Sequence, residues 1–271
     1  MAKKRDNKNV TYLYETHLHT AGISACAVSR GAEYIKGYKD MGYSGIIVTD
    51  HFYNGNSGLP KDLPWKEWVN QFCRGYEEAR NEGERRGLDV FFGWEETFDN
   101  CDDYLVYGLD KDWLLEHPEC RHWTRGEQYR AVKEAGGCVV QAHPFRQRYY
   151  ISRVVLSTGC VDAVETDNGG NENCDDALAF SYANKIGKPQ TAGTDIHDAS
   201  HIYSGSLYGV YLNRKLDSIA DYVKIICNNE IAGLKTDEAR LYYHGRETVK
   251  LPVDVRDNED RVTGRHWKEF I

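Results

Sequence analysis

The sequence predicts an α/β protein built on a mostly parallel sheet with helical crossovers. Three observations carry that expectation. Short apolar runs rich in β-branched residues alternate with longer helical patterns. The chain has 271 residues, the usual size of one α/β barrel or of two small domains. No Pro/Ser-rich linker, internal repeat or low-complexity segment divides it, so one domain is expected.

The strands are expected at residues 10–16, 45–49, 88–93, 104–108, 137–142, 161–165, 189–193 and 207–212. The helices are expected near 30–41, 65–86, 124–135, 175–186 and 216–228. In the second helix Trp65, Trp68, Phe72, Tyr76 and Ala79 recur at i, i+3 and i+4 spacing, which makes one buried stripe. Pro64 stands where a helix can begin, and Gly136 with Gly137 ends the third helix. The stretch 53–64, rich in turn residues, is a loop. Beyond about Lys235 the chain becomes polar and poorly periodic, so residues 235–271 are expected as an appendage outside the core.

Composition narrows the function. Hydrophobic residues make up 41% and charged residues 28%, which supports a sizeable core. Asp and Glu number 42 against 34 Lys and Arg, a formal charge of −8. An acidic chain without a basic stripe counts against a constitutive nucleic-acid binder. The N-terminal M-A-K-K-R-D-N-K-N lacks an apolar stretch behind its charges, and no apolar run approaches the ~20 residues of a bilayer span. The eight cysteines are scattered with no C-x-x-C pair, a pattern expected of reduced thiols in a cytoplasm.

The chemistry collects after the strands. The first is followed by T-H-L-H-T with His17 and His19, the second by T-D-H with Asp50 and His51, and the third ends in G-W-E-E with Glu95. The fifth ends in A-H-P with His143, and the seventh in G-T-D-I-H with Asp195 and His197. Thus five of the ten histidines stand at C-terminal strand ends. Residues i and i+2 of a strand point to one side, so His17 with His19, and Asp195 with His197, can each present two ligands to one point. In a parallel barrel these ends meet on one face. Imidazoles and carboxylates together suit Zn²⁺, Mn²⁺ or Fe²⁺, and a bridging carboxylate can hold two cations. One H-x-H alone is a weak signal; the ordered set is what points to a metal centre.

That ordered set, H-L-H-T, T-D-H, a glutamate after a strand, A-H-P and G-T-D-I-H, resembles the PHP (polymerase and histidinol phosphatase) family over about residues 12–212. The resemblance implies a distorted seven-stranded, TIM-like (β/α) barrel with up to three metals and phosphoester hydrolysis. It implies a barrel over residues 10–234, followed by the polar extension 235–271. His17, His19, Glu95 and Asp195 would hold a first metal. Glu95 would bridge to a second that also uses His143. His51 and His197 would hold a third. Asp50 reads either as a residue orienting an imidazole or as a turn or helix-cap aspartate.

Two departures from the family pattern stand out. Members often carry a further His or Asp shortly after the first H-x-H, where this chain has A-G-I-S-A-C, so a usual ligand of the third metal is missing. Cys26 either substitutes as a soft thiolate or is a buried structural cysteine. A histidine is also common before the strand after Glu95. Here Asp103 stands at that place, as a carboxylate ligand or a solvated loop acid.

Segments near the ligands bear on substrate. Arg146, Arg148 and Arg153 follow His143 closely, and a planar guanidinium suits bidentate phosphate contact. Arg146 is nearest and is the expected phosphate clamp; otherwise these are surface arginines paired with acids. The 53–64 loop reads as a lid or a long connection, and Asn168 as substrate-orienting or turn-shaping. The expected activity is hydrolysis of a small phosphomonoester with two to three divalent ions, with Glu95, Asp195 and Arg146 as its catalytic residues. The alternatives are a nuclease or nucleotidase, and a metal-bound regulatory module without turnover.

Overall fold

The computed structural model describes residues 11–99, 101–242 and 249–271. Val10, where the first strand and the barrel were expected to begin, and the N-terminal segment 1–9 lie outside them. The first half runs β1 (Tyr12–Glu15), α1 (Gly31–Asp40), β2 (Gly45–Val48), α2 (Trp65–Phe72), α3 (Arg74–Arg86), β3 (Asp89–Thr97), β4 (Asp103–Tyr107), α4 (Lys111–Glu116) and α5 (Arg125–Glu134). The second half runs β5 (Cys138–Gln141), β6 (Val154–Ser157), β7 (Ala163–Asn168), α6 (Asn173–Ile186), β8 (Gln190–Gly193), β9 (Gly209–Leu212), α7 (Ile219–Cys227), β10 (Gly233–Lys235), α8 (Glu238–Leu241) and β11 (Val253–Arg256). Among the described residues no helix is long and apolar enough to cross a membrane.

Nine strands form one sheet in the order β10-β9-β1-β2-β3-β4-β5-β7-β8. The sheet curls until β1 and β8 approach. Leu18 bridges Ile196 in parallel, and the Asp195 amide donates to the His17 carbonyl at 2.8 Å. The seven strands from β1 through β8 in that order, the two meeting edges included, make the nearly closed, distorted barrel that the resemblance implies. β2, β5 and β7 are buried along their whole length, as expected of strands covered on both faces.

The sheet is less parallel than the strand–helix alternation suggests. β4 runs antiparallel to both β3 and β5, and β9 antiparallel to β1. Only five residues separate β3 from β4, too few for a helical crossover, so the chain reverses as a hairpin. The long helix expected at 65–86 is also two helices. It breaks at Cys73, whose ψ of −6° ends α2. Behind the break Gly75 lies against the segment that follows β1; a Cβ there would clash with Thr20 Oγ1. The aromatic stripe survives the break, with Trp68 and Phe72 packed around Phe52.

The polar C-terminal stretch is no appendage outside the core. β11 pairs in parallel with β6, from Val253 opposite Val154 to Arg256 opposite Ser157. Val255 and Phe270 are buried in one cluster with Phe145, Val154, Leu178 and Tyr182. Arg240 is buried too, with Nη2 2.6 Å from Asp176 Oδ2 and donating to the Asn171 carbonyl at 2.7 Å. Hydropathy misses this packing because the strand has four residues and the arginine is buried by pairing. Removing one partner of a buried pair leaves the other charge uncompensated. Arg240→Met should therefore lower unfolding stability by about 3 kcal/mol, read from urea midpoints at unchanged m-value. A loss below about 1 kcal/mol would mean that the pair is no better than a surface one.

Candidate metal centre

The five strand-end histidines and three carboxylates converge on the barrel mouth, centred on Glu95. Glu95 Oε1 lies 3.2 Å from His17 Nε2 and 3.1 Å from His143 Nε2. Its Oε2 lies 2.7 Å from His51 Nδ1 and 3.5 Å from His19 Nε2. Asp195 Oδ1 stands 3.1 Å from His19 Nε2 and 3.5 Å from His17 Nε2. Ligand atoms of His17, His19 and Asp195 form one group within 4.8 Å, those of Glu95, Asp103 and His143 a second, and those of His19, His51 and His197 a third.

The antiparallel β4 explains how Asp103 reaches the mouth. A residue that starts an antiparallel strand lies at the same end of the barrel as residues that finish parallel ones. The register sets Thr97 opposite Asp103 and Glu95 opposite Leu105, so Glu95 and Asp103 are diagonal neighbours on one face. Thr97 Oγ1 donates to Asp103 Oδ1 at 2.6 Å.

Carboxylates behind the imidazoles set their orientation. Glu165, on β7, faces His17 Nδ1 at 3.0 Å and accepts from Asn168 Nδ2 at 2.8 Å. Among the described residues Asp50 makes no hydrogen bond to an imidazole. It accepts from the Ser24 hydroxyl at 2.6 Å, and Ser24 Oγ lies 3.1 Å from His19 Nδ1, so Asp50 orients His19 through one hydroxyl. Glu15 accepts from the amides of His17 and Thr194 at 2.9 and 2.8 Å, clamping the ends of β1 and β8 together. The sequence reading missed Glu165, Glu15 and Ser24. Glu165 carried the signal that marked the others, an acid ending an apolar strand.

The backbone is strained at this face. His143 has φ +29° and Asp195 φ +54°, values that cost of order 1–3 kcal/mol each and persist only where the surroundings impose them. Gly193 answers a close approach: a Cβ there would lie 2.5 Å from the His17 Cβ and 2.7 Å from Glu165 Oε1.

The chemistry of the donor set fits divalent cations. His17 Nε2, His19 Nε2, His51 Nδ1 and Glu95 Oε2 are buried and have no hydrogen-bond partner among the described residues. Close approach without hydrogen-bond geometry is what donor atoms converging on a shared point produce. Burial pushes Glu95 up, but His51 and His17 outweigh it and hold the carboxyl well below its usual range. Burial likewise raises Asp195, and His17 and Arg146 outweigh it. Both are thus ionised, the form that ligates. Burial and the Glu95 charge push Asp103 well above its usual range, so ligation there would release a proton.

Arg146 borders the cluster. Its Nη2 donates to Asp195 Oδ2 at 2.8 Å and to Asn168 Oδ1 at 2.6 Å, and its Nε donates to Asn171 Oδ1 at 2.8 Å. It lines a cavity of about 560 Å³ over the cluster, with Asn54 and Asn56 of the 53–64 loop, Tyr149 and Tyr150. Arg148 and Arg153 have other partners: Arg148 donates to the Gly170 carbonyl, and Arg153 pairs with Asp254. Cys26 is exposed, not a buried structural cysteine, and lines the same cavity as His51 and His197. All eight cysteines are free thiols.

No family model matches the chain, and no curated protein matches it. Solved structures do. A two-domain protein from Bacteroides vulgatus containing a predicted PHP-like metal-dependent phosphoesterase aligns with a TM-score of 0.56 and 14% identity, over 82% of this chain and 64% of that one. The chain thus spans just under two thirds of that protein's length. PsfC from Pseudomonas syringae aligns at 0.51 and 14% identity, over 85% of this chain and 93% of its own. The lesion-specific endonuclease EndoQ from Pyrococcus furiosus aligns at 0.51 and 11% identity, over 83% of this chain and 58% of its own. The barrel therefore has the fold of PHP-like metal-dependent phosphoesterases, as the ordered motifs imply.

Proposed function

We propose that the chain is a metal-dependent phosphoesterase acting on a small phosphomonoester with two to three divalent ions, Zn, Mn or Fe. His17, His19, Glu95 and Asp195 hold the first cation. Glu95, His143 and Asp103 hold the second. His51 and His197 serve the third. Residues 10–234 supply all of these ligands, and the described residues of 235–271 buttress the barrel. The observation that carries the reading is the convergence of five imidazoles and three carboxylates at a cavity whose wall His51, Glu95, Asp103, Asp195 and His197 share with the half-buried guanidinium of Arg146.

Divalent cations bound there would neutralise phosphate oxygens and acidify water. The chain's own part is positioning. Glu95 presents one oxygen to His17 and His143 and the other to His51 and His19, so it sets the spacing of the centre. Arg146, braced by Asn168 and Asn171, presents a planar fork to phosphate and stabilises the charge that builds during transfer. The Asn54–Asn56 wall and the Tyr149–Tyr150 wall limit the space to about 560 Å³, the size of a small-molecule site.

The test is a panel of phosphomonoesters, phosphodiesters and short oligonucleotides on purified, metal-loaded chain, with and without chelator. Chelator-sensitive release of phosphate from monoesters is expected. Faster cleavage of diesters or oligonucleotides would favour the nuclease reading, and bound metal without turnover the regulatory one.

A further inference from the structure

We propose that Tyr149 and Tyr150 form a stacking ledge for an aromatic ring carried by the alcohol half of the substrate. This rests on the phosphoesterase reading above and narrows its substrate class to ring-bearing phosphomonoesters.

The argument starts from surface that the two rings leave open. Tyr149 is fully exposed and Tyr150 is 51% exposed. The other two exposed tyrosines among the described residues have partners within the chain. Tyr203 donates to Asp40 Oδ2 at 2.9 Å, and Tyr242 packs on Phe180 with centroids 5.4 Å apart. Tyr149 and Tyr150 meet only edge to face, with centroids 5.3 Å apart at 86°, which leaves ring faces uncovered. Adjacent exposed rings of this kind mark a place where something binds. Both line the cavity of about 560 Å³ that holds Arg146, Glu95 and His51. Besides the imidazoles they are the only rings on its wall. Partial burial raises the Tyr150 hydroxyl above its usual range, with Arg146 opposing and Asp103 adding to the rise, so this ring stands near the charged end of the cavity.

The segment that carries the rings is held in place. Phe145 and Ile151 are buried on either side of them. The Arg146 amide donates to the His143 carbonyl and the Ile151 amide to the Arg148 carbonyl, both at 3.0 Å. Arg148 Nη2 donates to the Gly170 carbonyl at 2.6 Å, and the Lys250 amide donates to Gln147 Oε1 at 2.7 Å. A ledge ordered in advance loses little freedom when a ligand arrives. Because Arg146 and the tyrosines share this segment, phosphate and ring would be held in a fixed relation.

The chemistry of the wall selects the occupant. A ring face is flat and carries a negative centre, which suits a second ring stacked on it or set edge-on. An aliphatic group would call for branched apolar side chains, and the cavity wall has none. Asn54, Asn56 and Thr97 supply polar atoms enough for a few ring heteroatoms. One ring pair in a bounded cavity, on a chain of net charge −8, suits a single ring rather than a strand of stacked bases.

The experiment uses the full, metal-loaded chain and two matched pairs of phosphomonoesters. One pair is phenethyl against cyclohexylethyl phosphate; the other is a nucleoside monophosphate against the same sugar phosphate without its base. Within each pair the reacting ester is alike, so the ratio of kcat/KM reads the ring. A preference of about ten-fold or more for the ring-bearing member is expected, and the pair with the larger ratio names the source of the ring. The ratio should fall to near one in Tyr149→Ala/Tyr150→Ala and persist in Tyr149→Phe/Tyr150→Phe, because the ring and not the hydroxyl stacks. Metal content measured on each variant shows that the centre is kept. Ratios near one in both pairs, a preference that survives the alanine variant, or its loss in the phenylalanine variant would overturn the ledge and leave the phosphoesterase standing. Faster, tyrosine-dependent cleavage of a short oligonucleotide than of either ring-bearing monoester would overturn the single-ring assignment. If no monoester is cleaved, calorimetric titration of the same pairs decides. Tighter, tyrosine-dependent binding of the ring-bearing member would keep the ledge and overturn the phosphoesterase reading; equal binding or none would overturn both.

Discussion

Glu95→Gln is expected to lose bound metal and the proposed phosphoesterase activity together. One carboxylate here faces four imidazoles, at 3.2 and 3.1 Å through Oε1 and at 2.7 and 3.5 Å through Oε2. The amide has the same shape but no charge, and its N–H₂ end can only donate, so one of the two oxygens that would bind cations is lost. Both cations of the proposed pair lose their shared ligand, so activity should fall by about a thousand-fold or more, the scale of removing electrostatic stabilisation from the reacting centre. Elemental analysis of variant and wild type, purified without chelator and reloaded with Zn²⁺ or Mn²⁺, is the check. Wild type holding less than one ion per chain would end the metal-centre reading. A variant that keeps its metal but not its activity would move Glu95 from ligand to a role in the reaction.

Arg146→Ala should lower kcat/KM by about ten- to a thousand-fold, the range for losing a charge-assisted contact worth ~1.5–4 kcal/mol. The guanidinium meets Asp195 through Oδ2, whereas Oδ1 is the oxygen beside His17 and His19. Metal content should therefore stay at the wild-type level. Arg146→Lys should recover only part of the loss, because a point charge does not reproduce the planar fork or reach both Asn168 and Asn171. Kinetics on a confirmed phosphomonoester beside metal analysis separates the two effects. Unchanged kcat/KM would return the phosphate contact to the 53–64 loop, since Arg148 and Arg153 are engaged elsewhere.

What the sequence conveyed and what it withheld divide along physical lines. The candidate ligands were legible because each follows an apolar run, and period-two geometry with a common barrel face brings them together. Strand direction was not legible: D-Y-L-V-Y reads the same whether β4 runs up or down. Asp103 could therefore be read only by its place in the family pattern, before the strand that follows Glu95, not by the hairpin that carries it to the mouth. Glu165 and Asp167 look equivalent in V-E-T-D-N, two acids at alternate positions. A register shift between them sends Glu165 to His17 and leaves Asp167 near Asp176 and Arg240. No local pattern encodes such an irregularity. β6, β10 and β11 have three or four residues each and, unlike most of the strands foreseen, precede no ligand motif.

The pairing of β6 with β11 also bears on how the molecule is made. Val154 waits for Val253, about a hundred positions later in synthesis, before its ladder can form. Arg240, likewise late, secures the carbonyls of Asn168 and Asn171, the residues that brace Arg146. The imidazole cluster is encoded before position 198, so it is translated ahead of the segment that finishes its rim. During translation a nascent barrel would carry most of its donor atoms with one flank of the mouth still uncovered. Long-range closure of this kind is slow and leaves sticky edges open while it is pending. Recombinant yield should then respond to translation speed and growth temperature more than the modest size of the chain would suggest.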